Sequence, residues 1–333
     1  MKVSIKDIAE KLKVSPALVS MVLNGKEKEG RVSKETAEKI RKVASELNYS
    51  PNRFAKGLKK GNSFILGLIV ADISNPFFAT LTRHIEDEAE RFNYKIIIGS
   101  SDENAAKMAS LIDIMKSYQV DGFLIVPAEN SQNQIEQLMR ENYAVVLIDR
   151  YFTELKTDCI ITNNSKTAYD AANYLISQGC RNIAAFTYQS GLSHFADRLT
   201  GYKNAINDAG LTMDKNLTFH IHFDNIFEEI KQGIKTLVER TPNVDGIFFL
   251  TDALTLNAIK VFKELGIDPS AKYRMLSFDE NDTFNFLSFP IPHFAQSLDI
   301  IGKEAVNRLL EQIKSQPKPE PKKILVDSKW FEK

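Results

Sequence analysis

The sequence predicts a two-part molecule: an all-α helix-turn-helix head, then an α/β core of two lobes, each a doubly wound parallel sheet. Three observations predict it. Helix-start signals and apolar residues at helical spacing recur three times before Asn48. From Phe64 onward, short β-rich apolar runs alternate with amphipathic helical stretches, the rhythm of repeated βαβ units. The charge also changes sign between the two parts. The first sixty residues hold 15 Lys and Arg against 7 Asp and Glu, and the remaining 273 hold 28 against 36, under a formal net charge of +0. A basic head on an acidic body points to a polyanionic partner for the head.

Composition bounds the rest. A 43% hydrophobic fraction with 10% aromatics supports sizeable cores, so the chain is globular. Its length suits a small domain plus one or two larger ones. Met1 to Asp7 lacks the apolar stretch of a signal peptide, and no apolar run approaches a membrane span, so the expected location is the cytoplasm. Two cysteines, Cys159 and Cys180, without CxxC spacing suit a reducing compartment and predict neither a disulfide framework nor a thiolate zinc site. His220 and His222 share one face of a strand, but no Cys or second His pair accompanies them, so no metal is expected. No cofactor is expected either: G-x-G-x-x-G, G-x-x-x-x-G-K-[ST] and G-x-S-x-G are all absent, which argues against a nucleotide-dependent or nucleophilic enzyme.

The head begins with Ile5, Ile8, Ala9 and Leu12 at helical spacing, and Val14-Ser15 breaks that helix. Ser15 is an N-cap residue and Pro16 occupies the first helical position, where its missing N–H is harmless, so a second helix runs from Pro16 to about Asn24. Val19, Val22 and Leu23 form its apolar stripe. Pro16, Ala17, Ser20, Met21 and Asn24 are left on the opposite face as the reading surface. A third helix opens at Ser33 and buries Ala37, Ile40, Ala44 and Leu47. The following segment, Asn48 to Gly61, carries four cations and too few apolar residues to bury itself, so it is expected to fold only against a polyanion.

Ile5-Lys6-Asp7-Ile8-Ala9, Val14 to Gly25, Tyr49-Ser50-Pro51-Asn52 and Ala55-Lys56-Gly57-Leu58 together resemble the head and hinge of the lactose/galactose repressor (LacI/GalR) family. The resemblance implies that the second helix lies in the major groove of a pseudo-palindromic double-stranded operator. Hinge helices of two subunits would enter the minor groove side by side, with Leu58 wedged into the central base step. The DNA-binding set is then Ser15, Pro16, Ala17, Ser20, Met21 and Asn24 on the reading helix, and Asn52, Arg53, Ala55, Lys56 and Leu58 on the hinge. Leu18 and Met21 stand where family members commonly carry Thr and Arg, which removes one phosphate contact and one strong base contact. Shape and deformability of the DNA are therefore expected to carry more of the specificity. Gly25 to Gly30 is a longer turn than usual and is read only as a solvated loop.

In the body, strands are predicted at 64–70, 95–99, 122–126 and 144–148, then 183–186, 217–222, 246–250 and 274–278, with helices filling the gaps. A final strand, helix and strand at 293–296, 299–314 and 324–327 is expected to cross back between the lobes. The resulting boundaries are 1–49 for the head, 50–61 for the hinge, and 62–333 for the core. The N-terminal lobe takes about 62–160 and 294–322, and the C-terminal lobe about 161–293 and 323–333. Such sheets bind ligands at the carboxyl ends of their strands, so the cleft between the lobes is the expected site.

The loops at those ends carry a consistent chemistry. Asn75 with Phe77 and Phe78, then Asp149-Arg150, Arg198, Asp279 and Gln296, supply carboxylates and guanidinium groups to bracket vicinal hydroxyls and aromatic faces to cover a ring. The set resembles the periplasmic ribose-binding fold, to which repressor cores of the family are related. By that resemblance Phe223 is a further stacking aromatic, with Phe227 its close competitor, and Thr251 stands where sugar binders usually have Asn. Each residue also has an ordinary reading: Phe77 and Phe78 as helix-start packing, Asp149-Arg150 as a local ion pair, Arg198 as a partner of Asp197.

The expected function is a sequence-specific DNA-binding transcription regulator of repressor type, acting as a homodimer whose operator affinity is set by a small neutral sugar. The alternatives are a transport-type sugar-binding protein and a regulator answering to a non-sugar effector such as a nucleobase. After Gln316, Pro317-Lys318-Pro319-Glu320-Pro321 leads into one strand with no leucine heptads, so a dimer is expected and not a tetramer.

Overall fold

The computed structural model describes residues 3–28, 30–47, 49, 62–241 and 243–332. It forms two units, Met1–Ser63 and Phe64–Lys333. The hinge residues Asn52, Arg53, Ala55, Lys56 and Leu58 lie outside the described residues.

In the first unit the helices are α1 (Ile5–Leu12), α2 (Pro16–Leu23) and α3 (Lys34–Glu46). Each has a serine N-cap. Ser4 accepts from Asp7 N while the Asp7 carboxylate accepts from Ser4 N, a capping box; Ser15 caps Leu18 N at 3.2 Å, and Ser33 caps Thr36 N at 3.2 Å. Caps of this kind are worth about 1 kcal/mol each, a large share of the stability of so small a domain. The core is Ile8, Ala9, Val19, Val22, Ala37, Ile40 and Ala44, with Leu23 and Leu47 half-buried at its edge.

The second unit contains two six-stranded sheets. Its elements in order are β1 (Ile65–Val70), α4 (Pro76–Arg91), β2 (Lys95–Ser100), α5 (Ala105–Ser117), β3 (Gly122–Ile125), α6 (Gln132–Arg140), β4 (Ala144–Ile148) and β5 (Asp158–Thr162). After the first crossing come α7 (Asn164–Ser177), β6 (Ile183–Tyr188), α8 (Ser193–Asp208), β7 (Thr218–Ile221), α9 (Ile226–Arg240), β8 (Gly246–Phe249), α10 (Asp252–Glu264), β9 (Arg274–Phe278) and β10 (His293–Ala295). The chain ends with α11 (Leu298–Lys314), β11 (Lys323–Val326) and β12 (Lys329–Phe331). Strand order is β2-β1-β3-β4-β5-β11 in the first lobe and β7-β6-β8-β9-β10-β12 in the second. The sheets are parallel except for β12, which runs antiparallel to β10. Helices cover both faces, so the strands are buried apolar runs without alternation, as β3 and β4 show.

Three sequence expectations need correction. Lobe boundaries at 294 and 323 are misplaced: β10 pairs with β9 in the second lobe and β11 with β5 in the first, because the chain crosses between lobes beside Gln296 and again beside Asp327. Strand β5 was not anticipated. It has only five residues, and its first, Asp158, is a carboxylate buried by partners remote in sequence: Arg308 Nε at 2.6 Å, Lys322 N at 2.7 Å and Gln312 Nε2 at 2.6 Å. The helical pattern at about 197–209 places Arg198 at a helix start, but α8 begins at Ser193 and carries Arg198 in its second turn. Among the described residues no helix is long and apolar enough to cross a membrane.

Candidate effector cleft and reading helix

Asp149 and Asp279 occupy equivalent places in the two lobes. Each follows the last residue of a strand, β4 and β9, and each has left-handed backbone, φ 67° and φ 74°. Such geometry is uncommon for residues other than glycine, and pairs of outliers of this kind concentrate at binding sites. Both carboxylates line one cleft of about 300 Å³ between the lobes.

All ten cleft residues expected from the sequence line it: Asn75, Phe77, Phe78, Asp149 and Arg150 from the first lobe, Arg198, Phe223, Thr251 and Asp279 from the second, and Gln296 at the crossing. Asn75 N-caps α4, its Oδ1 accepting from Phe77 N at 3.0 Å, which fixes Phe77 and Phe78 edge-on at 4.9 Å between ring centres. The helix-start reading of these rings therefore holds together with their place in the cleft. Phe223 lines the cleft and stacks on Tyr188 at 4.1 Å, whereas Phe227 is not among the lining residues and packs against the core of the second lobe. Thr251 N-caps α10, accepting from Leu254 N at 3.3 Å.

The two guanidinium groups are held, not free. Arg150 donates to both oxygens of Glu103 at 2.7 Å each, and its Nε lies 3.3 Å from Asp149 Oδ2 as an ion pair without a well-aligned hydrogen bond. Arg198 donates to Asn164 Oδ1 at 2.8 Å, Leu250 O at 2.7 Å and Asp279 Oδ2 at 3.0 Å, with its guanidinium carbon 3.6 Å from the centre of the Phe278 ring. It does not pair with Asp197, whose carboxylate accepts instead from the Tyr151 hydroxyl at 3.3 Å. Gln296 donates to Asp279 Oδ1 at 2.6 Å and accepts from Thr162. The result is a rigid, pre-paired polar frame. A neutral polyhydroxylated ligand can exchange hydrogen bonds with such a frame, but no cation in it is left over for an anion.

Sequence reasoning missed several lining groups. Asp72, Glu103, Tyr188, His194, Phe195, Ile226 and Asp252 also face the cleft. Glu103 could have been found by the strand-end rule, since Ser101-Asp102-Glu103 follows β2, and Asp252 directly follows Thr251. His194 had no signal, because its place depends on where α8 begins. Burial, reinforced by the nearby Arg150 and Arg198 charges, holds the His194 imidazole well below its usual range, so it stays neutral. Burial raises Asp149 despite its arginine neighbours, and burial together with the Asp279 charge pushes Asp252 up to about 6.

Between the lobes, the Glu129 carboxylate of the first accepts from Gly191 N at 3.0 Å and Ser190 Oγ at 3.3 Å of the second. Tyr151 N donates to Ser193 Oγ at 3.1 Å in the same way. Among the described residues no group of three or more His, Cys, Asp and Glu side chains could hold a metal ion.

On α2, Ser15, Pro16, Ala17 and Asn24 are exposed, while Ser20 and Met21 are half-buried. Asn24 Nδ2 donates to Ser20 O at 2.7 Å. Met21 lies on the outward face of α2 but is half-buried, its sulfur filling the space a side chain on Gly30 would take.

A family description for bacterial regulatory proteins of the lacI family matches residues 4–52, and one for periplasmic binding proteins and the sugar-binding domain of the LacI family matches 63–333. The chain belongs to the LacI family. As a LacI-family protein it is a DNA-binding transcription regulator with a sugar-binding-type core. It is similar to the ribose operon repressor of Haemophilus influenzae, 30% identical over 94% of this chain and 92% of that one. It is likewise similar to the ribose operon repressor of Halalkalibacterium halodurans, 31% identical over 94% and 91%. The crystal structure of the lac repressor dimer bound to operator and the anti-inducer ONPF shares the fold, with a TM-score of 0.85 at 18% identity over 99% of this chain and 98% of that one.

Proposed function

We propose that this LacI-family regulator is a cytoplasmic, nucleoid-bound homodimeric repressor whose effector is a neutral monosaccharide of about pentose size. The carrying observation is the cleft frame, in which Asp149, Arg150, Arg198, Asp279 and Gln296 are already paired among aromatic faces. Phosphosugars and sugar acids would meet five carboxylates, those of Asp72, Glu103, Asp149, Asp252 and Asp279, against two committed guanidinium groups. The names of the two ribose operon repressors make ribose the first sugar to test. The same reading makes the cleft a site of binding and not of turnover.

The reading helix and the hinge residues Asn52, Arg53, Ala55, Lys56 and Leu58 engage operator DNA in this reading, two subunits to a pseudo-palindrome. Effector binding favours one relative lobe orientation and thereby changes DNA affinity; by linkage, operator DNA changes sugar affinity by the same factor. Fluorescence anisotropy with labelled fragments of the upstream region, run with and without each member of a monosaccharide panel, tests it. One neutral sugar is expected to raise the melting temperature and shift operator affinity. Absence of DNA binding at moderate salt, with every sugar and with none, would overturn the proposal.

A further inference from the structure

The Gly25–Gly30 loop, longer than usual and without a role in the sequence reading, has one in the structure. Lys26 N donates back to Met21 O at 3.0 Å, Gly30 N to Lys26 O at 3.2 Å and Val32 N to Glu27 O at 2.9 Å, so the described residues of the loop fold back on the end of α2. The Glu27 carboxylate is ion-paired to Arg41 of α3, which ties the loop to the body of the head. Met21 fills the space above the Gly30 α-carbon: a methyl group placed there would overlap its sulfur and press on its terminal carbon at 3.0 Å. Met21 is accordingly half-buried, although it sits on the face of α2 that the apolar stripe leaves outward.

We propose that Gly30 is a positioning residue for operator reading: it provides a seat for the Met21 thioether, so that position 21 makes no base contact. Reading then falls to the exposed Ser15, Pro16, Ala17 and Asn24, with the half-buried Ser20 between them. A methionine offers DNA only an apolar surface, suited to a thymine methyl. A glycine at 30 keeps that surface against the loop. Of the atoms that a Cβ at 30 would displace, all belong to the far end of a flexible side chain, so the substitution moves Met21 and not the helix.

This rests on the DNA-binding reading of the family, and the test separates the two. The full-length protein is used to select operators from a randomised half-site library, as wild type and as Gly30→Ala, Met21→Ala and the double variant, with thermal melting of each. Wild type and Met21→Ala are expected to select the same sequence, within about twofold at every position. Gly30→Ala, with the displaced thioether free to meet the groove, is expected to shift preference several-fold toward A·T at one half-site position. Adding Met21→Ala to Gly30→Ala restores the wild-type preference. Should the alanine variant melt too early to assay, Gly30→Ser presents the same Cβ with a hydroxyl that can face water. The proposal is overturned if Met21→Ala alone shifts the preference, if Gly30→Ala leaves it unchanged, or if its shift survives in the double variant. Failure of the wild type to select any sequence overturns the DNA-binding reading and this proposal with it.

Discussion

Glu103 holds Arg150 by both carboxylate oxygens, 2.7 Å from Nη1 and 2.7 Å from Nη2, and does so from a backbone in the left-handed region at φ 55°, next to Asp102 at φ 50°. Two successive non-glycine residues in that conformation cost of order 1–3 kcal/mol each, and the fork they deliver offsets it. The arginine is buried while the glutamate side chain remains 37% exposed.

Glu103→Gln leaves the Arg150 charge with Asp149 as its remaining anion. Breaking a fully buried pair costs about 3–5 kcal/mol; with Glu103 partly in water, a loss of about 2 kcal/mol is expected in urea or thermal unfolding. Calorimetric titration should show a second effect. Affinity for the neutral sugar falls, and a sugar acid, excluded by the wild type, gains affinity because a guanidinium has become available.

Gly191→Ala probes the contact that joins the two lobes through Glu129. A Cβ at this position would lie 2.8 Å from Glu129 Oε1, so the carboxylate must move away and lose its bond to residue 191 N. The lobes should then spend more time apart. Small-angle scattering is expected to show a larger radius of gyration without ligand and no change with sugar bound. Apparent sugar affinity drops by the fraction of closed molecules lost.

His194 and Asp252 give stability opposite dependences on pH. His194 is depressed, so its contribution is present above the usual histidine range and is lost as pH falls below it, when only the unfolded chain takes the proton. Asp252 is raised from 3.8 to about 6, so its contribution is present at low pH and is lost as pH rises through about 6. Relative to wild type, Asp252→Asn should gain stability most above pH 6, and His194→Gln should gain most below pH 6. Melting temperatures measured from pH 4 to 8 check both signs.

The basic head should bind DNA with steep salt dependence. Arg53→Ala and Lys56→Ala are each expected to reduce the slope of log affinity against log salt by about 1 and to weaken all operator sequences alike. A change confined to one sequence would show that these side chains read base edges and not phosphates.

Much of the site was legible because it obeys a rule of position. Asp149, Asp279 and Gln296 follow strands, and the strands were readable as apolar runs buried on both faces. The serine caps fixed the three head helices in the same local way. What depended on distant partners was not readable. Strand β5 needs Arg308 and Gln312 to neutralise Asp158, and the crossings that assign β10 and β11 to their sheets are decided by register with β9 and β5.

The sequence by itself determined the head, the alternation of strand and helix, and the strand-end side chains of the cleft, since caps, periodicity and strand ends are local; Phe223 and Thr251 came only from the family resemblance. Only the tertiary structure decided how those side chains are used. Glu103 on Arg150, Asp279 on Arg198, Glu129 on Gly191 and Met21 on Gly30 are pairings between segments 9 to 81 residues apart. Such pairings leave no periodicity in the chain, because packing and desolvation act on whatever the fold brings together.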